Sequence, residues 1–249
     1  MENLSLTDRI KRSTKAFVLF HTYSVTKESV TRAIEEQKSM DLDVCVDERG
    51  KPYIGHSQEF YRISSEKQQE CLSLWEAVDL IAKASIPIII DCKHHDAWQV
   101  VEEVIRKIGS HRCLLHAYAN ELKFTYNFYD YDYPSEWSAI IKLAQLKKQF
   151  PSLTTTASCK FLPNDFLVSD KYQDDLFKIR EILKTNHVDT VCLNVPDCTI
   201  TNKTLDFFLD EGILQHINVD GVDVSKLLRP YVGETNILES ASISQILGY

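Results

Sequence analysis

Long apolar runs are missing from this sequence, and so is any excess of basic residues. No stretch approaches the roughly 20 apolar residues that a membrane-spanning helix needs, and the first nine residues lack the apolar core of a signal peptide. Lysine and arginine number 28 against 36 acidic residues, which gives a net charge of -8 without a long basic tract. A transmembrane segment and a nucleic-acid partner are therefore not expected. We expect a soluble, cytoplasmic protein.

Several motifs of nucleotide, nucleophile and zinc sites are also absent. There is no Gly-rich phosphate loop, no Gly-x-Ser-x-Gly elbow and no P-loop. The seven cysteines include no Cys-x-x-Cys pair, so a structural zinc site is not expected. Four of them lie inside strand-like apolar runs, where a reduced thiol acts as a small hydrophobe: Cys45, Cys92, Cys113 and Cys192. Because the number is odd and these settings are apolar, we expect all seven cysteines to be unpaired.

The sequence does have a regular alternation of strand-like and helix-like segments. The strand-like segments are 16–21, 42–47, 86–93, 113–118, 153–158 and 190–195. Helical periodicity covers 27–39, 72–84, 97–108, 136–150, 173–185 and 203–212. This alternation predicts a parallel sheet, and 249 residues is about the length of one (β/α)8 TIM barrel. No linker-like composition interrupts the chain, so we expect a single α/β barrel domain over residues 1–249.

The end of the chain fits this barrel less regularly. After Gly212, residues 216–224 must supply whatever strand remains, and a helix between the seventh and eighth strands does not fit there. We therefore expect a shortened or irregular last unit.

Carboxylates lie on one face of the second and third predicted strands. Side chains alternate along a strand, so when the apolar residues at 42, 44 and 46 face the helices, Asp41 and Asp43 point toward the barrel axis. By the same alternation, Asp91 and Lys93 share a face. Adjacent carboxylates on a buried face are unfavourable unless a positive charge neutralises them. A divalent cation is the simplest such charge, and an all-oxygen set favours Mg²⁺ or Ca²⁺ over zinc.

Histidines accompany these acids near the carboxyl ends of the predicted strands. His21 ends the first strand, His56 lies in the loop after the second, and His116 ends the fourth. Active sites of α/β barrels collect at this end, so we expect these groups to converge. Taken singly, an aspartate is more often a cap or surface charge, and a histidine is more often a core residue. Taken together, the set indicates metal-assisted cleavage of a phosphodiester, with His116 as a candidate substrate contact.

The pattern of these residues resembles a known family. In glycerophosphodiester phosphodiesterases and the related sphingomyelinase D toxins, within the phospholipase-C-like barrel superfamily, a histidine ends the first strand and an acidic-x-Asp pair lies in the second. A second histidine follows on the next loop, and an acidic-x-Lys lies in the third strand. This chain supplies His21, Asp41-Leu42-Asp43, His56 and Asp91-Cys92-Lys93, so that the match covers residues 16–93. The interval from His21 to Asp41 is closer to the sphingomyelinase D branch.

Three positions depart from the glycerophosphodiesterase pattern. Thr22-Tyr23 stands where Arg-Gly usually follows the first histidine, which removes a phosphate-binding arginine. Ser57 replaces the usual aspartate after the second histidine, and Asp41 replaces the usual glutamate. The resemblance therefore predicts the superfamily, and it leaves the branch and the substrate open.

The resemblance also implies roles for the matched residues. Asp41, Asp43 and Asp91 would hold a Mg²⁺ or Ca²⁺ ion. His21 and His56 would act as the catalytic acid and base on opposite sides of the phosphorus, because imidazole titrates near neutrality. Lys93 would bind phosphate as a point charge. The substrate would be a small glycerophosphodiester or a (lyso)phospholipid, and either water or a substrate hydroxyl could be the nucleophile.

Two other interpretations remain open at this stage. The missing Arg-Gly is also compatible with a non-catalytic barrel that binds a phosphorylated ligand or partner, since a fold does not guarantee a chemistry. A barrel with a bound metal could also carry out carbon–carbon bond chemistry, as metal-dependent aldolases do. The presence of two histidines beside the carboxylates favours phosphoryl transfer over both.

Overall fold

The computed structural model describes most of the barrel, including eight strands that run parallel to one another. The described residues are 4–12, 17–20, 25–47, 49–55, 71–122, 134, 137–159, 173–194, 214–218 and 237–239. Two of the predicted site residues, His21 and His56, lie outside these ranges, as does the predicted helix 203–212.

The eight parallel strands form the centre of the protein. They are β1 (Phe17–Phe20), β2 (Ser39–Val46), β4 (Ile88–Cys92), β5 (Cys113–Tyr118), β6 (Thr154–Cys159), β7 (Thr190–Asn194), β8 (Leu214–Asn218) and β9 (Ile237–Glu239). Each pairs with the next one along the chain, and β1 pairs with both β2 and β9. The pairings therefore run around a ring, which confirms the predicted α/β barrel. A short strand, β3 (Pro52–Ile54), returns antiparallel to β2.

Five of the six described α-helices lie between successive strands, from β1 to β7, and bury apolar residues against them, whereas the first helix precedes β1. Their bounds are α1 (Leu6–Lys11), α2 (Lys27–Glu35), α3 (Leu74–Ala82), α4 (Trp98–Ile108), α5 (Ala139–Gln149) and α6 (Gln173–Thr185). The α3 helix begins at a capping box, in which Ser73 and Glu76 bond each other's backbone N–H groups. Its buried face consists of the residues predicted from the i, i+3, i+4 spacing: Leu74, Ala77, Val78 and Ile81.

The α2 helix ends earlier than the sequence predicts. Its last residue is Glu35 rather than Ser39, because Gln37 adopts a left-handed conformation with φ of 53°. The Gln37 N–H donates to the Ile34 carbonyl and the Lys38 N–H donates to the Ala33 carbonyl, which is a Schellman motif. Glycine usually occupies this position, so the stop was not visible in the sequence. The β2 strand consequently begins at Ser39, three residues before its predicted start.

The last strands also differ from the prediction. The seventh strand of the ring is β8, at 214–218, and the eighth is the three-residue β9 at 237–239. The expectation that residues 216–224 supply what remains of the barrel is therefore wrong, because the chain beyond them contributes the closing strand. The expectation of a short last unit stays a prediction, because residues 219–236 between β8 and β9 lie outside the described part.

The amino-terminal end of the barrel is closed by α1, which the sequence pattern did not predict. Leu6 and Ile10 pack against Ile89 and Leu114 in a small buried cluster inside the ring. The Thr7 N–H donates to Thr154 Oγ1 at 2.8 Å, which fixes the helix to β6. Since this end is filled with side chains, the polar groups inside the barrel lie toward its carboxyl-terminal end.

The described part settles the state of some cysteines and the character of its helices. Five cysteines of the described part form no disulfide bond: Cys45, Cys71, Cys92, Cys113 and Cys192. The remaining two, at positions 159 and 198, have side chains outside the described part. Among the helices described, none combines the length and apolar character that crossing a membrane requires.

Candidate active site

Three carboxylates meet inside the barrel. Asp41 and Asp43 come from β2 and Asp91 comes from β4, where Asp43 and Asp91 are register partners. Each is at most 3% exposed, and one oxygen of each lies within 4.8 Å of the others. They point inward because the alternating residues Leu42, Val44 and Cys92 belong to the apolar core outside the ring. The face predicted from strand alternation is confirmed.

The Lys93 ammonium lies among these carboxylates. Its Nζ is 2.5 Å from Asp91 Oδ2 and 3.1 Å from Asp43 Oδ1, and its side chain is 10% exposed. Burial alone would lower the pKa of Lys93, but the negative charge of Asp91 and its neighbours outweighs burial and holds that pKa well above its usual range. Lys93 is therefore a fixed positive charge that offsets part of the buried negative charge.

His116 contacts the same carboxylate from the next strand. It is the register partner of Asp91, and its Nδ1 lies 3.2 Å from Asp91 Oδ2. Burial alone would raise the pKa of Asp91, but Lys93 and His116 hold it well below its usual range. In turn, burial would lower the pKa of His116, and the Asp91 charge raises it well above its usual range.

The charge of this cluster suits a divalent cation. Three carboxylates carry three negative charges, and Lys93 with a protonated His116 balances two of them. Asp91 Oδ1 is buried and accepts no hydrogen bond from any described residue. An uncompensated buried charge is unfavourable, and a ligand set made only of carboxylate oxygens matches the preference of Mg²⁺ and Ca²⁺. The residues present thus fit the metal that the sequence predicts.

The structure adds polar residues that the sequence pattern did not single out. Tyr118 lies at the carboxyl end of β5, with its ring centroid 5.6 Å from Lys93 Nζ and 5.0 Å from the His116 ring. Thr156 and Ser158 are buried on β6, and Cys192, which the sequence predicts only as a small hydrophobe, is buried on β7. Extending the alternation from His116 to Tyr118 would have identified the tyrosine. Identification of the others required the register, which pairs Thr156 with His116 and Ser158 with Cys192.

Each predicted catalytic histidine directly follows, in the sequence, a described residue that is bound to β2. His21 follows Phe20 in the sequence, and Phe20 pairs with Met40, the residue before Asp41. His56 follows Gly55, whose N–H donates to the Asp43 carbonyl at 2.9 Å. The Cys45 thiol donates to the Gly55 carbonyl at 3.1 Å. Both histidines are thus one residue along the chain from a backbone segment bound to β2.

A second group of potential metal ligands follows Lys93. His94, His95 and Asp96 bring one ligand atom each within 4.8 Å of the others. His94 accepts a hydrogen bond from the Asp96 N–H and caps a short 3-10 turn. The side chains of His94 and Asp96 are 46% and 61% exposed. The His95 side chain is 22% exposed, and its ring lies 6.3 Å from the Trp137 ring.

Comparison with known proteins gives matches in structure only. No family model and no curated protein matches the chain. A glycerophosphodiester phosphodiesterase from Thermotoga maritima superposes with a TM-score of 0.61 at 13% identity, over 94% of this chain and 97% of that one. A glycerophosphoryl diester phosphodiesterase from Parabacteroides distasonis gives a TM-score of 0.60 at 10% identity, over 98% and 92% of the two chains.

Enzymes of other chemistry superpose almost as well. An oxaloacetate acetylhydrolase matches with a TM-score of 0.58 at 14% identity, over 98% of this chain and 82% of that one. Similarity at these identities establishes the fold and leaves the reaction to the site residues. The chain therefore has the α/β TIM-barrel fold that glycerophosphodiester phosphodiesterases also have, as its sequence pattern predicts.

Proposed function

We propose that this protein is a metal-dependent phosphodiesterase that cleaves a glycerophosphodiester or a (lyso)phospholipid-type diester. The observation that carries the proposal is the convergence of Asp41, Asp43 and Asp91 with Lys93 in one buried cluster. The cluster lies toward the carboxyl ends of the strands, where α/β barrels build their active sites. The fold shared with known phosphodiesterases supports the same assignment.

The three aspartates would hold Mg²⁺ or Ca²⁺. The bound ion would supply Lewis-acid polarisation of a non-bridging phosphate oxygen and stabilise charge that develops on it. Lys93 would add a fixed positive charge at the phosphate, since its ammonium is already held next to Asp43 and Asp91. That charge matters because this chain lacks the arginine that usually follows the first histidine in glycerophosphodiesterases.

The proton transfers are assigned to His21 and His56. One would accept a proton from the nucleophile, and the other would protonate the leaving alcohol. Both follow directly on chain segments bound to β2, the strand that carries Asp41 and Asp43. With a substrate hydroxyl as nucleophile the product is a cyclic phosphate, and with water it is a phosphomonoester.

Phosphorus NMR on a panel of diesters tests the proposal. The panel contains glycerophosphocholine, glycerophosphoinositol, lysophosphatidylcholine and sphingomyelin, each with Mg²⁺, with Ca²⁺ and with EDTA. We expect a new phosphorus signal that disappears in EDTA, and its chemical shift separates a cyclic phosphate from a monoester. His21→Ala and His56→Ala should each reduce kcat at least about a hundredfold. Full activity in excess chelator would refute the metal, and near-normal turnover by either variant would remove that histidine from the mechanism.

The same experiment separates the phosphodiesterase from two competing functions, neither of which gives a new phosphorus signal. A non-catalytic barrel would bind metal or a phosphorylated ligand and produce no new phosphorus signal. Carbon–carbon bond chemistry, on the fold shared with an oxaloacetate acetylhydrolase, would likewise leave every diester intact. Absence of turnover on the whole panel, with metal still bound, would therefore overturn the phosphodiesterase proposal.

A further inference from the structure

We propose that His116 is a positioning residue that holds Asp91 in the orientation required for metal binding. The proposal deepens the phosphodiesterase function and rests on it. It assigns His116 a contact with a metal-binding carboxylate rather than the substrate contact expected from its place at the end of a strand.

The two oxygens of Asp91 have different surroundings. Oδ2 is held by Lys93 Nζ at 2.5 Å and by His116 Nδ1 at 3.2 Å. Oδ1 is buried and accepts no hydrogen bond from the described residues. Two donors on one oxygen restrict rotation of the carboxylate and leave the other oxygen as a ligand for a cation shared with Asp41 and Asp43. Partners of this kind orient the carboxylate ligands of metal sites in proteins.

The position of the His116 ring is itself fixed by its neighbours. Its side chain is 5% exposed, which is about as buried as the three carboxylates next to it. The Tyr118 ring packs at 5.0 Å between centroids, and His116 also interacts with the side chain of Cys192 on β7. Contacts from β4, β5 and β7 therefore hold the His116 ring in place. A ring that is fixed in this way can in turn fix the orientation of Asp91.

The Asp91 contact defines which ring nitrogen must carry a proton. Nδ1 faces the carboxylate oxygen, so this nitrogen donates the hydrogen bond in either the neutral or the charged ring. An asparagine at the same position can place an amide N–H close to where Nδ1 lies. A glutamine places its amide farther along, nearer to Nε2. Comparison of the two variants therefore tests whether metal binding depends on the hydrogen bond that His116 Nδ1–H donates to Asp91.

Isothermal titration calorimetry of the whole chain with Mg²⁺ and with Ca²⁺ tests the inference without any substrate. We expect His116→Ala and His116→Gln to weaken metal binding about 10- to 100-fold and His116→Asn to remain within a few-fold of the unsubstituted protein. Asp91→Asn should abolish binding and identifies the site. His95→Ala should leave the affinity unchanged, because it removes the separate His94, His95 and Asp96 group. Circular dichroism establishes that each variant is folded, and the Asn–Gln comparison stands if the alanine variant does not fold.

Activity measured across metal concentrations then distinguishes positioning from catalysis. If His116 positions Asp91, the loss in His116→Gln should shrink as the metal reaches saturation, and kcat in His116→Asn should stay near the unsubstituted value. Unchanged metal affinity in both His116→Ala and His116→Gln would overturn the inference and leave the phosphodiesterase proposal standing. Weakened metal affinity in those variants, with no diester cleaved by the unsubstituted protein, would support the inference and overturn the reaction. A loss of kcat at saturating metal in His116→Asn, with affinity intact, would assign His116 a direct role in the reaction instead.

Discussion

Replacement of Lys93 by methionine tests whether the buried carboxylates depend on a nearby positive charge. Lys93 is the ammonium that lies within 4.0 Å of both Asp43 and Asp91. Methionine keeps much of the length of the side chain and removes the charge. In the variant the three aspartates, each at most 3% exposed, stay buried. Among the described residues next to them, His116 is then the remaining cation.

The size of the effect follows from the burial of the pair. Removing one partner from a buried ion pair costs about 3–5 kcal/mol, because the other charge stays buried without compensation. That is a large part of the roughly 5–15 kcal/mol by which a folded protein is usually stable. Lys93 is 10% exposed, so solvent screens little of the interaction. We therefore expect Lys93→Met to lose about 4 kcal/mol of unfolding free energy in metal-free buffer.

Urea denaturation in EDTA measures this loss, and two comparisons assign its cause. The double variant Lys93→Met/Asp91→Asn should recover part of the stability, because it removes the orphaned carboxylate as well. Addition of Mg²⁺ should stabilise Lys93→Met more than it stabilises that double variant, since a bound cation replaces the missing charge. A Lys93→Met protein within about 1 kcal/mol of the unsubstituted chain in EDTA would refute the dependence of the buried carboxylates on this ammonium.

Three further predictions concern other residues of the described part. Arg112→Met should lower the free energy of unfolding by about 3 kcal/mol, because the buried guanidinium donates to the carbonyls of Ile108, which ends α4, and of Ala84, which follows α3. An unchanged midpoint in urea denaturation would contradict this. His187→Gly should stabilise the protein by about 0.5–1 kcal/mol, because His187 follows the end of α6 with φ of 54°; a lower Tm would be the opposite result. Burial raises the pKa of Cys45 to about 11 and that of Cys113 to about 12. Neither thiol should therefore react with a thiol reagent at pH 8 until urea unfolds the chain, and peptide mapping of the labelled protein measures this.

Most of the fold could be predicted because strand and helix periodicity is regular along the chain. The predicted bounds of β5 and α6 agree with the structure to the residue. The end of α2 could not be predicted, since a glutamine rather than a glycine takes the left-handed position. The closing strand at 237–239 is three residues long, which is too short for alternation to show. The α1 helix was missed because its two core residues, Leu6 and Ile10, are separated by polar positions in a short segment.

The candidate site was also predictable only in part. Strand alternation predicted that Asp41, Asp43, Asp91 and Lys93 face the barrel axis, and these residues do form one cluster. Their partners depended on the pairing between strands. The contact of His116 with Asp91 requires that the two residues be register neighbours on β4 and β5, and no spacing within either strand specifies that register.

The sequence by itself determined which faces of the strands are polar, because alternation is a local property of extended backbone. It therefore determined the barrel, the three carboxylates and the charge expected among them. Tertiary structure alone decided that α1 closes the amino-terminal end of the ring and that His116 contacts the same oxygen of Asp91 that Lys93 binds. Those contacts join segments far apart along the chain or on neighbouring strands, and their distances are set by register and packing rather than by the order of residues.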